Sequence, residues 1–495
     1  MKKYILKIGV LIFLAVFAFS SCTEKFEEIN TDPDRAKDAP ATNVLAFVLR
    51  YYAATFHDAW ADMNEPSTYA GHLTKIQYID EARYNFRPGV VENNWYYGYI
   101  LLNNIKEIKK KAIADEADNL LGVAKVLESM IVQTMSDRWR DIPYSDALKL
   151  DEGILLPTYD TQEEIYPALL TVLDEANDLL ATPAATDQIG EGDVLFGLDL
   201  SEEQYGIKVL RWQKLANSLR LRMAMRISEV AAATARPVVE DILGNPADNP
   251  IMESNDDNAM FVWQGTSPYE EPWYTDSKSR DDHSVADVLV NELLALDDPR
   301  LPVYALPAES DGQYRGFTVG ATAQPNLATI SRIGPRFRKN PAGFSPIMRY
   351  AEVMFCVAEA SKLGWTTGTT TEAAYEAAVT ASLKENGIEQ DAIDDYLLNG
   401  GAFADDLDQI YLQQWIALFK QGMEAWTLYR RTGIPTTHYV APGSFFPGHN
   451  SPPFRYPYPA NEGTLNGANS KPFSDLVVDN FWGKQMWYDT RTGVN

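Results

Sequence analysis

TQEEIYPALLTVLDEANDLL, residues 161–180, is the stretch from which the fold can be read. Ile165, Leu169, Val172, Leu173, Ala176 and Leu180 recur every three or four residues, which places them on one stripe of an α-helix. Thr161 stands at the N-cap position and Glu164 three residues later, the spacing of a capping box in which each side chain accepts from the other residue's backbone N–H. Outward from this helix the spacing repeats. Upstream it returns in Leu101, Leu102, Ile105 and Ile108, and again in Leu120, Leu121, Ala124, Leu127, Ile131 and Met135. Downstream it returns in Leu215, Leu219 and Ile227, in a helix beginning near Tyr205. Helical periodicity starts near Val44, fades after residue 235, and resumes at Ile347–Leu363, Glu372–Asn386 and Leu407–Arg431. In the last of these, read as one long helix, Leu412, Trp415, Ile416, Phe419, Met423 and Trp426 form the apolar face. The pattern predicts a mainly α fold in which helix pairs stack like tetratricopeptide units, although no clean repeat of roughly 34 residues is visible.

Two regions break the pattern. Residues 236–346 hold Pro and Gly clusters, one short helix at Val285–Leu296, and the aromatic string FVWQGTSPYEEPWYTD (Phe261–Asp276). The tail Gly433–Asn495 carries eight Pro and seven Gly, too many for regular structure. Its closing aromatics, among them Phe473, Phe481, Trp482, Trp487 and Tyr488, predict that it packs onto the helices. The expected organisation is a single domain over 44–495. Its helical scaffold lies mainly in 44–235 and 347–432, and a loop-rich, ligand-binding part mainly in 236–346 and 433–495.

The N-terminus reads MKKYILKIGVLIFLAVFAFSSC. Lys2, Lys3 and Lys7 precede an apolar run from Ile8 to Phe19, and Ser20-Ser21 stand before Cys22, the three-part pattern of a secretory signal over 1–21. A Cys directly after the small pair matches a bacterial lipobox, so Cys22 is expected to carry lipid and residues 22–43 to form a polar tether. Only Cys22 and Cys356 are present, so no disulfide framework is expected, and Cys356 fits a buried small hydrophobe. Forty-three basic against sixty-nine acidic residues give a net charge of −26, which excludes a nucleic-acid partner recognised through its phosphates. Attachment to an anionic membrane by charge is excluded on the same ground, leaving the lipid.

Several blocks together resemble the SusD/RagB-like family of nutrient-binding outer-membrane lipoproteins. They are the lipobox, MSDRWRDIPYSDAL (Met135–Leu148), LPTYDTQEEIYPALLTVLDEA (Leu156–Ala176) and RWQKLANSLRLRMAMRIS (Arg211–Ser228). DDPRLPVYA (Asp297–Ala305), PIMRYAEVMFCVAEASKLGW (Pro346–Trp365), QQWIALFKQGMEAWTLYRRTGIP (Gln413–Pro435) and PPFRYPYPANEGTLN (Pro452–Asn466) follow in family order. The resemblance implies a tetratricopeptide-like scaffold supporting a loop-rich half. It also implies a lipid-anchored protein of the outer membrane, facing the cell exterior, that captures oligosaccharide and passes it to a SusC-like TonB-dependent transporter. Peptide is the alternative cargo, and a periplasmic solute-binding lipoprotein or a glycoside hydrolase are less favoured readings.

The blocks themselves read as structural. Trp415 and Trp426 sit at core spacing, Arg138 to Asp141 suit helix capping and pairing across a turn, and Arg430 and Arg431 complement a helix C-terminus. A sugar site needs aromatic platforms for C–H faces and polar groups for hydroxyls. The first candidate is the loop carrying Trp263, Tyr269, Trp273, Tyr274 and Arg280; the second is Trp60–Trp95, with Trp60, Tyr69, Tyr78 and Arg83, while Trp95 reads as core. No catalytic or metal site and no cofactor is expected. The five His are scattered without an H-E-x-x-H pattern, and no G-x-S-x-G, P-loop or dinucleotide fingerprint is present. Asp256-Asp257 and Asp281-Asp282 lack calcium-loop spacing and read as solvated acidic loops.

Overall fold

The computed structural model describes residues 39–198, 200–474 and 482–495. The expected signal at 1–21, the lipid-bearing Cys22, the tether to residue 38, and Phe481 lie outside the described residues. From Ala41 onward the chain forms one unit. Its first helical group comprises α1 (Ala41–Thr55), α2 (Pro88–Ala114), α3 (Asp118–Trp139), α4 (Gln162–Leu180), α5 (Tyr205–Arg226) and α6 (Ala232–Gly244). Consecutive members pack side by side, as in stacked helix pairs. The capping box of α4 forms as read: Thr161 Oγ1 accepts from the Glu164 N–H at 3.3 Å, and Glu164 Oε2 accepts from the Thr161 N–H at 2.9 Å. Ile165, Leu169, Leu173, Ala176 and Leu180 are all buried against α3 and α5, while Val172 is half-buried at the edge. Two glycines set how closely the helices approach. A Cβ at Gly98 would strike Met135 Sδ, and one at Gly122 would come within 2.8 Å of Leu180 Cγ.

The insertion holds α7 (Pro272–Ser279) and α8 (Asp287–Ala295), so the single helix expected at Val285–Leu296 is shorter and has company. A second helical group follows: α9 (Tyr350–Lys362), α10 (Thr371–Glu385), α11 (Gln390–Leu398), α12 (Leu407–Ala417) and α13 (Gly422–Thr432). Leu407–Arg431 is therefore two helices rather than one. The break falls at Leu418–Gln421, where Lys420 takes the left-handed conformation (φ 71°) and turns its ammonium into the interior. Ile347–Leu363 also divides, its first residues lying in a strand.

Among the described residues six short strands pair two by two, antiparallel: β1 (Leu73–Lys75), β2 (Ala259–Val262), β3 (His283–Val285), β4 (Ala305–Leu306), β5 (Arg332–Ile333) and β6 (Phe344–Met348). β1 pairs with β3 in the register Leu73↔Val285, Thr74↔Ser284, Lys75↔His283, which sews the segment after α1 to the insertion. β2 pairs with β6, and β4 with β5. The tail packs onto the helices as expected. Trp482 and Tyr488 are buried, the Trp487 N–H donates to Gln162 Oε1 at 2.9 Å, and α14 (Gly467–Ser474) covers the end of the α3–α4 connection through Asn469 and the Leu156 carbonyl. Scaffold indoles satisfy the irregular tail backbone: Trp139 Nε1 donates to the Pro457 carbonyl at 2.9 Å and Trp426 Nε1 to that of Pro453 at 3.1 Å.

The arginines of the quoted blocks are structural, by a route other than the helix dipole. Arg430 is buried, stacks 3.7 Å from the Trp426 ring centroid, and donates to the carbonyls of Asp137 and Phe454. Arg431 forms a two-pronged pair with Glu359 at 2.5 and 2.7 Å. Arg138 donates to Ala61 O and Tyr456 Oη. These are bridges between segments far apart in sequence. Cys356 is buried on α9, and burial pushes its thiol well above the ordinary range.

Candidate functional site

Three of the expected platform rings are inside the protein. On β2 and one residue past its end the side chains alternate, Phe261 and Trp263 inward and Val262 outward, and Trp263 Nε1 donates to Ser345 Oγ at 3.0 Å on β6. Trp273 follows Pro272 in the first turn of α7 and is fully buried, with Lys420 Nζ 4.2 Å from its ring centroid. That ammonium pairs with Glu271 at 2.8 Å, and Glu271 also caps α7 by accepting from the Tyr274 N–H. Tyr69 is buried against the edges of Tyr84 and Trp426. A ring sealed on both faces has none to offer a ligand: Trp273 holds the insertion to the scaffold at Phe419 and Lys420, Trp263 holds β2 to β6, and Tyr69 packs into the interior between Tyr84 and Trp426.

The remaining expected residues stay open. Tyr269 is 40% exposed, with Arg50 of α1 above its ring, and Tyr274 is half-buried beneath Lys278. Tyr78 is 58% exposed, on a backbone with φ 50°, and the Arg280 guanidinium lies 4.4 Å from its ring centroid. Arg83 lies 3.9 Å from the ring centroid of Phe445, itself 46% exposed. Trp60 is half-buried under Arg87 at 5.0 Å. Tyr78 and Arg83 belong to one segment, residues 76–87, which carries Tyr78 and backs Phe445 to form a shelf of two open rings and ends in Arg87 over Trp60; Tyr269 and Tyr274 are backed from elsewhere, by Arg50 and Lys278.

That segment is held from three sides. The Ile76 N–H donates to the Asp282 carbonyl, Tyr84 Oη accepts from the Ala441 N–H at 2.7 Å, and the Phe445 N–H donates to the Arg83 carbonyl at 3.1 Å. Arg83 Nε in turn donates to the Gly443 carbonyl at 2.6 Å, close to the crowded turn where Gly443 meets Gly320. Every guanidinium on the shelf already has a carboxylate: Arg83 with Asp80 at 3.1 Å, Arg280 with Asp282 at 2.8 Å, and Arg87 with Glu81 at 2.7 Å. The shelf thus presents stiffened rings with compensated charge, a surface suited to a neutral ligand that has apolar faces and hydroxyl edges. Phe445 is absent from the sequence reading. The signal was the pair of Pro-Gly turns, Pro442-Gly443 and Pro447-Gly448, bracketing Phe445-Phe446.

The acidic pairs lie among cations. Asp257 meets Lys214 at 2.9 Å, Asp281 meets Arg332 at 2.6 Å, and Asp282 meets Lys75 as well as Arg280. His72 and His283 are buried, their Nε2–H groups donating to the Trp415 carbonyl and to Asn64 Oδ1, and burial drives both rings below their ordinary pKa, His72 to about 3. Among the described residues no group of three or more His, Cys, Asp or Glu side chains is placed to hold a metal ion. No described helix is long and apolar enough to cross a membrane.

Comparison with known proteins places this geometry in a family. Residues 36–459 match the SusD-like family model described as starch-binding and associating with the outer membrane. A solved chitin-binding protein superposes with TM-score 0.78 at 25% identity, covering 91% of this chain and 100% of its own. A chitin-binding SusD homologue from Flavobacterium johnsoniae gives TM-score 0.77 at 23% identity, covering 92% of this chain and 98% of its own. A SusD-like protein from Bacteroides thetaiotaomicron gives 0.76 at 22%, covering 92% and 100%. No curated protein sequence matches. With the family model spanning most of its length and a mainly helical, tetratricopeptide-like fold, the chain belongs to the SusD-like family.

Proposed function

We propose that this protein captures a neutral oligosaccharide on the shelf of residues 76–87 and hands it, unaltered, to a SusC-like TonB-dependent transporter. The observation that carries the reading is the set of open, arginine-backed rings, Tyr78 on Arg280 and Phe445 on Arg83, displayed beside one loop. Ring stacking of this kind grips the C–H face of a sugar, and the adjoining Asp80 and arginines supply partners for hydroxyls. The chitin-binding proteins of the same fold make chains of β-linked N-acetylglucosamine the first ligand to test, with starch second from the family's description. Membership of the SusD-like family supports binding in place of catalysis. Anchoring through a lipid on Cys22 would raise the local glycan concentration at the barrel mouth, so weak stacking suffices and release stays fast.

Retention on chitin and on starch-containing affinity gels tests the reading. The wild type is expected to be retarded by one of them and Tyr78→Ala and Phe445→Ala to run free, with Trp273→Ala losing stability instead. Unretarded wild type on both, together with a blank glycan array, sinks the glycan reading and favours peptide.

A further inference from the structure

A hollow adjoins the shelf segment at Arg87. It measures about 320 Å³ and is walled by Thr55, Asp58, Trp60, Asn93, Asn94 and Tyr97, with Arg87 at its rim. Asp58 spends one oxygen on its own backbone: Oδ1 accepts from the Trp60 and Ala61 N–H groups at 2.8 and 2.6 Å, starting the π-helical turn Ala59–Met63. Oδ2 has no hydrogen-bond partner among the described residues. Asn94 is 3% exposed, and its Nδ2 is buried without an acceptor. Asn93 stands exposed one residue earlier on α2.

The hollow does not end at its wall. Tyr97 meets Tyr51 of α1 edge-on at 5.5 Å, Tyr51 stacks on Phe47 at 4.8 Å, and Tyr96, 62% exposed, lies against Tyr97 at 5.6 Å. Rings thus continue from Trp60 outward along the α1–α2 surface. Among the described residues that line the hollow the one guanidinium, Arg87, is held by Glu81, so its charge is compensated and does not call for an anionic ligand. Flat rings, a carboxylate oxygen and two side-chain amides in a hollow of this size match the faces and hydroxyls of a sugar ring. The Arg87–Glu81 pair also links hollow and shelf, because Glu81 lies in the segment that carries Tyr78 and Arg83.

We propose that this hollow and its ring strip form a second sugar-binding track, distinct from the shelf, so that the protein holds one glycan at two places and selects long chains over short ones. The proposal rests on the glycan-binding reading. Calorimetry with β-1,4-linked N-acetylglucosamine oligomers, trimer against hexamer, and with the corresponding α-1,4 glucose series, tests it on the purified protein. For the series that binds, wild type is expected to gain about tenfold or more in affinity from trimer to hexamer. Trp60→Ala with Tyr97→Ala should abolish that gain and leave trimer affinity unchanged, while Tyr78→Ala should weaken both oligomers. Asp58→Asn keeps the Oδ1 cap and therefore the fold, and should lower hexamer affinity several-fold with the trimer untouched. Wild-type binding that gains nothing with length, or a length gain that survives the Trp60 and Tyr97 changes, removes the second track and leaves the glycan reading standing. Failure to hold any oligomer of either series overturns the track together with the glycan reading on which it rests.

Discussion

Tyr78 and Trp273 are both aromatic residues in loop-rich sequence, yet only one has a face for a ligand. Tyr78 is 58% exposed and Trp273 is sealed. Tyr78→Ala is expected to cost about tenfold or more in glycan affinity with the melting temperature unchanged, measured by calorimetry and thermal denaturation. Trp273→Ala should destabilise by about 3–5 kcal/mol through the cavity it leaves, read in a denaturant titration. Asp62 makes a different prediction. It is buried, its Oδ2 has no hydrogen-bond partner among the described residues, and burial raises its carboxyl to about 7. The folded protein therefore holds this proton more tightly than the unfolded chain does. The associated stability is full below the ordinary carboxylate pKa and is lost as pH rises toward about 7. Asp62→Asn has no charge to bury, so its melting temperature should gain on wild type at pH 8 and the gain should shrink at pH 5. An advantage of equal size at both values would show that Asp62 does not titrate in this way.

At the scale of elements, the sequence was most legible where a local rule fixed the geometry. The capping box of α4 needed only Thr161 and Glu164, and it formed as read. Thr161→Ala should cost about 1 kcal/mol in chemical denaturation. The stretch Leu407–Arg431 was less legible because its apolar spacing runs unbroken through Leu418–Gln421. Periodicity reports which side is apolar and says nothing of whether the backbone turns there. The turn is set by Lys420, whose ammonium is drawn to Glu271 and the face of Trp273 in the insertion. Lys420→Met should destabilise by about 3–5 kcal/mol, since it strands a buried carboxylate, and adding Glu271→Leu should recover much of that loss. β2 carried a readable signal in its alternation at Phe261, Val262 and Trp263, overshadowed by the density of aromatics around it.

Across the whole molecule, the order of the elements and the division into scaffold, insertion and tail follow from the chain itself. Apolar spacing of 3.6 residues and its interruption by Pro and Gly are local properties, written wherever the residues stand. The proposed ligand-binding surface is different in kind. Tyr78, Arg280 and Phe445 are spread over more than three hundred residues, and what brings them to one surface is the β1–β3 pairing and the tail's return across residues 76–87. Composition announced an abundance of rings and could not say which would be buried, because burial depends on what packs against both faces. The sequence by itself determined the helical frame and its family, whose cues act over a few residues. Only the tertiary structure decided which rings meet water, since that choice is made by contacts between segments far apart in the chain.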